Sequence, residues 1–310
     1  MTKLALVFPG QGSQSVGMMQ AFAESRVVRD VFADASDTLD QDLWKLVAEG
    51  PAEALNATVN TQPVMLTAGY AVYRAWIEAG GPAPAMAAGH SLGEYTALVA
   101  AGAIAFHDAL PLVRFRAQAM QEVVPMGTGA MAAILGLGDD AVRNACSDAA
   151  AGEVVEAVNF NAPSHVVIAG HKAAVERAAS AAKAAGAKRA VMLPVSAPFH
   201  SSLLQPAAER LADYMQKVVF EKPRMPVLNN VDVAILDDPA AIKQALARQA
   251  CNPVRWVEVV RAMAAAGVTD VAECGPGKVL AGLTRRIEPA LKGHAITDPR
   301  SLVQALEALK

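Results

Sequence analysis

Residues 85–101 have the sequence AMAAGHSLGEYTALVAA, in which a short apolar stretch is followed by a turn around a serine and then by a longer stretch rich in alanine and leucine. The first stretch, 85–88, ends at Gly89 and predicts a buried strand, and 92–101 predicts a helix. Between them Gly89-His90-Ser91-Leu92-Gly93 fits the pattern G-x-S-x-G, a sharp strand-to-helix turn that lifts a serine hydroxyl clear of the backbone. This order predicts an α/β domain with Ser91 at the start of a helix.

Strands and helices alternate along most of the chain. An apolar run at 3–8 predicts a first strand, stopped by Pro9 and Gly10, and further strands are predicted at 227–231 and 268–273. Helical patterns cover the stretch up to about residue 47, the apolar stretch 61–79 and, apart from the two later strands, the remainder of the chain after residue 195. Such alternation implies a mostly parallel sheet with helices on both faces.

Residues 128–195 follow a different order. Strands are predicted at 130–135, 154–159, 166–169 and 189–193, with helices at 139–150 and 172–185, and the two middle strands are joined through Asn161-Ala162-Pro163-Ser164. The order β-α-β-β-α-β is that of the ferredoxin-like unit. We therefore predict a small ferredoxin-like domain at 128–195, inserted into a large α/β domain formed by 1–127 and 196–310.

Composition excludes several classes of protein. With 310 residues, 53% of them hydrophobic, the chain can bury a sizeable core. A net charge of -3 without long runs of one sign argues against nucleic acid as a partner. We expect neither a signal peptide nor a membrane partner, because no apolar stretch is long enough, and therefore a cytoplasmic protein. Cys146, Cys251 and Cys274 match no metal spacing and are expected to be small buried side chains in a reducing compartment.

Ser91 is the candidate nucleophile. At the start of a helix, main-chain N–H groups and the helix dipole stabilise a developing oxyanion. Glycines flank the serine because a side chain at either position would collide with neighbouring elements. An ordinary turn serine is the alternative, and the strand before the turn and the helix after it favour the nucleophile.

His200 is the candidate base that a serine nucleophile requires. It follows the last strand of the predicted small domain, and it comes after Ser91 in chain order, as in the α/β-hydrolase arrangement. Spacing alone leaves a structural histidine equally open. His90 adjoins Ser91 and is expected to point away from it, and solvated positions are expected for His107, His165, His171 and His294.

Arg116 lies in the middle of a helical apolar stripe that consists of Leu112, Val113, Ala119, Met120 and Val123. A guanidinium on a buried stripe needs an anion or several acceptors. Three interpretations stay open: a carboxylate elsewhere in the fold, a substrate carboxylate held by two parallel hydrogen bonds, and an arginine whose head reaches water.

A glycine-rich loop, Phe8-Pro9-Gly10-Gln11-Gly12-Ser13-Gln14, follows the first strand. It has neither the Gly-Lys-Ser/Thr of a phosphate loop nor the spacing of a dinucleotide fingerprint. In serine acyl-transfer enzymes a loop of this kind supplies the second main-chain donor to the oxyanion. A plain tight turn is the alternative.

Together these motifs resemble the malonyl-CoA:acyl carrier protein transacylase family over nearly the whole chain. The resemblance rests on FPGQGSQ (8–14), GHSLGEY (89–95), RFR (114–116), NFN (159–161), PFH (198–200), NPVRW (252–256) and ECGPGK (273–278). It implies an α/β-hydrolase-like large domain, a ferredoxin-like small domain and an acyltransferase of fatty acid biosynthesis. That enzyme moves malonyl from coenzyme A to the phosphopantetheine thiol of acyl carrier protein.

The resemblance also implies a role for each site residue. Ser91 matches the acylated serine, His200 the base and Arg116 the arginine that binds the malonyl carboxylate. Gln11 and Leu92 match the residues whose main-chain N–H groups form the oxyanion hole. Gln249 matches the residue whose main-chain carbonyl orients the histidine. The implied reaction is ping-pong, uses a Ser–His dyad, and needs no metal or cofactor besides malonyl-CoA and the carrier protein.

The family is commonly monomeric, and its carrier proteins are acidic, so a basic patch is expected to dock them. Lys188-Arg189 and Arg285-Arg286 are the candidates, with ordinary solvated charge as the alternative.

Three other functions remain as alternatives. A serine esterase or thioesterase would not need Arg116 on an apolar stripe, and a non-catalytic docking module would not need every catalytic position filled. A discrete acyltransferase that serves a polyketide synthase is not excluded by the sequence.

Overall fold

The computed structural model describes residues 2–125, 127–195 and 197–309. Its central strand is β1 (Leu4–Phe8), all of whose residues are buried. Because side chains alternate along a strand, Leu4, Leu6 and Phe8 enter one apolar core while Ala5 and Val7 enter a second core on the opposite face. The sheet is therefore covered on both faces.

The described strands form two separate sheets. The parallel sheet contains β2 (Met86–Gly89), β7 (Val227–Leu228), β8 (Asp270–Cys274) and β9 (Lys292–Ile296), in the order β7-β2-β1-β8-β9. The antiparallel sheet contains β3 (Gly129–Leu135), β4 (Val155–Ala162), β5 (His165–His171) and β6 (Arg189–Met192), in the order β4-β5-β3-β6.

The helices before the antiparallel sheet are α1 (Arg26–Leu39), α2 (Leu43–Glu49), α3 (Ala52–Asn56), α4 (Thr58–Glu78), α5 (Leu92–Ala100) and α6 (Phe106–Glu122). Between the strands of that sheet, in chain order, come α7 (Asp139–Ala149) and α8 (Lys172–Ala184). After it come α9 (Gln205–Met215), α10 (Pro239–Gln249), α11 (Trp256–Ala265), α12 (Val279–Ile287) and α13 (Pro299–Ala308). Short 3₁₀ turns lie at Gln20–Phe22 and Ser202–Leu204.

The order β3-α7-β4-β5-α8-β6 and the pairing of its strands confirm the predicted ferredoxin-like unit. Its Ile134 and Val166 belong to the same apolar core as Trp256 and Val260 of α11, so packing joins this unit to the parallel sheet. The division into 128–195 and into 1–127 with 196–310 stays a prediction. These ranges include Met1, Met126, Ser196 and Lys310, which lie outside the described residues.

The largest differences between the structure and the predicted elements concern strands. β9 falls in a stretch predicted as helical, because Lys292, Gly293 and His294 interrupt any apolar run. β7 has two residues rather than the five predicted. β4 and β5 extend toward each other and leave Pro163-Ser164 between them, so Asn161 belongs to a strand rather than to a turn.

Close backbone contacts explain the glycines around Ser91. A β-carbon on Gly89 would lie 1.8 Å from the carbonyl carbon of Gly93, and one on Gly93 would lie 2.0 Å from the main-chain oxygen of Phe8. Ser91, between them, has φ 52 and ψ -109, in a region that residues with side chains rarely adopt. The turn from β2 into α5 is thus held against the end of β1.

Two expectations about composition can be compared with the fold. Cys146, Cys251 and Cys274 are buried and unbridged, as predicted, and burial raises the pKa of Cys146 to about 12. Within the described ranges, no helix combines the length and the apolarity that crossing a membrane would require.

The contact of Gly93 with Phe8 predicts the effect of one added methyl group. Gly93→Ala should lower the free energy of unfolding by about 1–3 kcal/mol or more, because backbone atoms of β1 would have to move. The matched control is Gly282→Ala on the exposed side of α12, where the new methyl group has no neighbour within 4 Å. That control should raise stability by about 0.5–1 kcal/mol. Urea denaturation measures both, and equal effects would contradict the steric argument.

Candidate active site

Ser91 and His200 form a hydrogen-bonded pair. The serine Oγ lies 2.7 Å from His200 Nε2, and His200 Nδ1 lies 2.8 Å from the main-chain oxygen of Gln249. A carbonyl oxygen only accepts, so Nδ1 carries the proton and donates to it. In the neutral ring Nε2 is then an acceptor, directed at the serine hydroxyl. The pair therefore has the geometry of a nucleophile with its general base.

Three elements from distant parts of the chain bring this pair together. Ser91 lies in the turn between β2 and α5, and His200 lies in the segment after β6, where its φ is 66. Gln249 is the last residue of α10. The histidine is thus oriented by a main-chain carbonyl rather than by a third side chain.

The environment keeps the His200 imidazole neutral. Burial, together with the positive charge of Arg116, lowers the pKa of His200 to about 3, against a contribution in the other direction from the Gln249 carbonyl. A base must be unprotonated to accept a proton, so this ring is in its active form at neutral pH.

Arg116 is buried, with 2% of its surface exposed, which excludes an arginine whose head reaches water. Its Nη1 donates to Gln62 Oε1 (2.8 Å), and its Nη2 donates to Gln249 Oε1 (3.0 Å) and to Ser91 Oγ (3.2 Å). No carboxylate of the described part of the chain forms an ion pair with it. A cation whose hydrogen bonds go to neutral oxygens, with the Tyr95 ring 5.3 Å away, thus lies beside the nucleophile.

The glycine-rich loop reaches the same point. A β-carbon on Gly10 would lie 2.4 Å from the His90 oxygen and 3.7 Å from the Leu92 nitrogen, so the backbone of this loop touches the turn that carries Ser91. Leu92 is the first residue of α5, and its N–H has no intrahelical acceptor. Neither it nor the Gln11 N–H donates to another residue within the described ranges. Both N–H groups therefore lack an acceptor within the described ranges, and they belong to two segments that touch beside Ser91.

A cavity of about 710 Å³ opens at the pair and lies between the two sheets. The parallel-sheet part contributes Ser91, Arg116 and His200, and the antiparallel sheet contributes Met131 and Asn161. His90 is turned toward the antiparallel sheet, where its Nε2 lies 2.8 Å from Asn161 Oδ1. Its side chain therefore points away from Ser91, as expected.

The remaining histidines lie outside this cavity, although not all are solvated as expected. His171 accepts a hydrogen bond from the Val154 N–H, and His294 lies 2.9 Å from Asp270 in a partly buried pair. His107 is exposed. No group of three or more possible metal ligands among His, Cys, Asp and Glu occurs in the described ranges.

Three site residues and one side chain were missed by the sequence analysis. Gln62 binds Arg116, Asn230 accepts from the Ser91 N–H (2.7 Å), and Glu94 accepts from Gln249 Nε2 (2.9 Å). The Gln249 side chain links the last of these to Arg116. Arg116 was identified as a polar residue inside an apolar helical stretch. Gln62 and Glu94 are polar residues in such stretches too, so the same signal could have identified them.

Comparison with known proteins gives consistent matches. Residues 5–293 match the family model of the acyl transferase domain. The chain is 56% identical over 308 residues to the malonyl CoA-acyl carrier protein transacylase of Escherichia coli K12, covering 99% of this chain and 100% of that protein.

Two solved structures are similar over almost all of this chain. One is an acyl-carrier-protein S-malonyltransferase from Burkholderia pseudomallei 1710b, with TM-score 0.97, 65% identity, and coverage of 99% of this chain and 100% of that one. The other is a malonyl-transacylase in complex with its type II PKS acyl-carrier protein, with TM-score 0.98, 52% identity, and coverage of 99% and 100%.

The lowered pKa of His200 predicts how Ser91 reactivity depends on pH. A neutral serine-directed fluorophosphonate should label Ser91 at a nearly constant rate from pH 8 down to pH 5, because the imidazole stays unprotonated. A histidine of ordinary pKa would slow labelling roughly tenfold by about pH 5.5. Intact-protein mass spectrometry measures the rate, and Ser91→Ala gives the background. A fall centred near pH 6.5 would contradict the assignment.

Proposed function

The chain belongs to the acyl transferase domain family and, within it, to the malonyl CoA-acyl carrier protein transacylases, and from this premise we propose that it forms a malonyl ester on Ser91 and passes the malonyl group to the phosphopantetheine thiol of a carrier protein. Membership makes the chain an acyltransferase. The observation that carries the finer proposal is the buried cation of Arg116, 3.2 Å from the nucleophile.

The first half-reaction acylates the serine. His200 Nε2 takes the proton of Ser91 Oγ as this oxygen attacks the thioester carbonyl of malonyl-CoA. The oxyanion that forms accepts hydrogen bonds from the main-chain N–H groups of Gln11 and Leu92. The intermediate then collapses, the C–S bond breaks, and the imidazolium returns the proton to the thiolate of coenzyme A.

The second half-reaction reverses these roles with a different thiol. The phosphopantetheine thiol gives its proton to His200 and attacks the malonyl ester, and the same two N–H groups hold the second oxyanion. When the C–O bond to Ser91 breaks, the imidazolium protonates the serine. The enzyme returns to its starting state, so the chemistry draws on its own residues and on the two substrates.

Arg116 suits the free carboxylate of a malonyl group. That carboxylate is separated from the acyl carbon by one methylene, so an ester on Ser91 carries it toward the guanidinium. The guanidinium lines the cavity and donates to the neutral oxygens of Gln62, Gln249 and Ser91, so a carboxylate that enters there meets a cation without an ion-pair partner among the described residues. Because the guanidinium is desolvated, a carboxylate there gains a strong charge-assisted contact.

The basic residues proposed for carrier docking lie near one end of the antiparallel sheet. Leu135 of β3 pairs with Arg189 on one side and with His165 on the other. Burial lowers the pKa of His165, and the nearby Arg286 of α12 lowers it further. Lys188, Arg189, Arg285 and Arg286 are all exposed. This end is about 13 Å along β3 from Met131 at the cavity. We propose that this basic end docks the acidic carrier.

The pathway is proposed to be fatty acid biosynthesis. Service to a polyketide synthase is the second candidate, since one structure that this chain matches at 52% identity holds a type II PKS carrier protein. Comparing the kcat/KM for carriers of the two kinds distinguishes them.

The role of Arg116 is tested by substrate preference. Arg116→Ala should weaken malonyl loading of Ser91 by about 2–5 kcal/mol, the range for removing one member of a buried charge pair. Acetyl loading should be unchanged or faster, because acetyl-CoA lacks the carboxylate. The measurement is the ratio of malonyl to acetyl adducts by intact mass, with Ser91→Ala as the blank. Arg114→Ala on the same helix is the matched control, and an unchanged ratio in Arg116→Ala would contradict the role.

The docking surface is tested by charge reversal. The double variant Arg189→Glu, Arg286→Glu should raise the KM for the carrier protein by about tenfold while malonyl loading from coenzyme A stays unchanged. The difference should shrink at high salt, which screens exposed charges. Lys217→Glu, in the exposed segment after α9, is the control. A normal KM in the double variant would place docking elsewhere.

A further inference from the structure

We propose that Glu94 is a positioning residue, whose buried carboxylate fixes the Gln249 side chain and the Asn230 main chain and thereby sets the geometry shared by Ser91, His200 and Arg116. This inference rests on the proposed function, because selectivity for malonyl is its readout.

Glu94 lies three residues after Ser91 on α5 and is 2% exposed. The residues beside it on the helix, Leu92, Tyr95 and Leu98 among them, are buried as well. A carboxylate in such surroundings is costly unless it accepts hydrogen bonds. Its Oε2 accepts two, from Gln249 Nε2 and from the Asn230 main-chain N–H, each at 2.9 Å.

The first of these bonds decides how the Gln249 amide is turned. Its NH₂ end must face the carboxylate, and the same end donates to the Ser91 main-chain oxygen (3.0 Å). The carbonyl end is then directed at Arg116, whose Nη2 donates to it (3.0 Å). Without Glu94 only the Ser91 oxygen would hold the NH₂ end, and the acceptor that keeps Arg116 beside the serine would be less firmly fixed.

The same residue also holds the base. The main-chain oxygen of Gln249 accepts from His200 Nδ1, so one residue joins the imidazole to the guanidinium. Glu94 thus acts on the base and on Arg116 through Gln249, and it touches neither.

The second bond supports the turn around the nucleophile. Asn230 donates its main-chain N–H to Glu94, while its side chain accepts from the Ser91 N–H (2.7 Å) and donates to the Gly89 oxygen (2.7 Å). Ser91 has a backbone conformation that side-chain-bearing residues rarely adopt, and such conformations persist only where neighbouring contacts hold them. Glu94 is therefore the point at which the support of the turn and the support of the guanidinium meet.

Positioning of this kind does not depend on the charge of the carboxyl group. Burial raises the pKa of Glu94 to about 7, although Gln249, Asn230 and the nearby Arg116 act in the opposite direction and Asp232 adds to the rise. An added proton can reside on Oε1, which leaves Oε2 free to accept both hydrogen bonds. The geometry should accordingly be the same on either side of pH 7.

The test compares three substitutions at this position. Glu94→Gln keeps an oxygen that can accept both bonds, Glu94→Leu removes the acceptor at similar volume, and Glu94→Asp keeps the charge but shortens the reach. Glu94→Gln should keep the wild-type ratio of malonyl to acetyl loading on Ser91 within about threefold. Glu94→Leu and Glu94→Asp should each lower that ratio about tenfold or more, since a displaced Arg116 affects malonyl alone. Adducts are measured by intact mass, and thermal melts identify folded variants, with Glu94→Asp carrying the test if Glu94→Leu does not fold.

The double variant Glu94→Leu, Gln249→Leu adds a check on the route. If Glu94 acts through Gln249, the double variant should shift the ratio no further than either single variant does. Equal losses on malonyl and acetyl in folded variants would overturn the inference in favour of a purely structural role. A loss in Glu94→Gln as large as in Glu94→Leu would overturn it in favour of charge. Absence of a malonyl adduct on the wild type would instead overturn the proposed function.

Discussion

The approach of Gly93 to the main-chain oxygen of Phe8 is the constraint on which the site depends. A β-carbon at position 93 would lie only 2.0 Å from that oxygen, so any larger residue would push the start of α5 away from the end of β1. The same closeness brings the loop after β1 against the turn, where Gly10 passes next to the His90 oxygen. The proposed oxyanion hole, with one main-chain donor from each segment, requires the two segments to be this near. Gly93 and Gly10 thus allow the turn and the loop after β1 to lie together, while Gly89 allows the turn to close on Gly93.

The electrostatics of the pair follow from what surrounds it. A carboxylate partner would stabilise the imidazolium strongly, whereas the Gln249 carbonyl offers a dipole, and burial next to Arg116 keeps the ring neutral. The ring is therefore unprotonated at neutral pH and well below it, and the protonated form is costly. In the proposed reaction the unfavourable imidazolium exists only while the proton is being transferred. Placing a cation beside the base is unfavourable for basicity, which implies that the cation has a separate task.

The fold and the candidate nucleophile could be predicted because they leave strong local patterns, whereas the role of His200 came only from the family resemblance. An apolar run, G-x-S-x-G and a helical stretch give the strand, the turn and α5, and Arg116 on an apolar stripe marks a buried cation. Polar contacts between distant segments leave no such pattern: Asn230 reaches Ser91 across 139 residues and Gln249 reaches Glu94 across 155. Glu94 and Gln62 stood inside apolar stretches and could have been identified by the argument used for Arg116. β9 was missed since a parallel edge strand with Lys292 and His294 shows no alternation.

In the proposed reaction Arg116 affects both the basicity of His200 and the binding of the malonyl carboxylate. In the free site its charge lowers the pKa of His200, second only to burial. A malonyl carboxylate that binds the guanidinium cancels much of that charge, so the imidazolium formed during proton transfer becomes easier to reach. An acyl group without a carboxylate leaves the cation uncompensated, and the base stays weak. Under the proposed role of Arg116, selection for malonyl is exerted in the chemical step as well as in binding, because the substrate itself removes the charge that opposes the base.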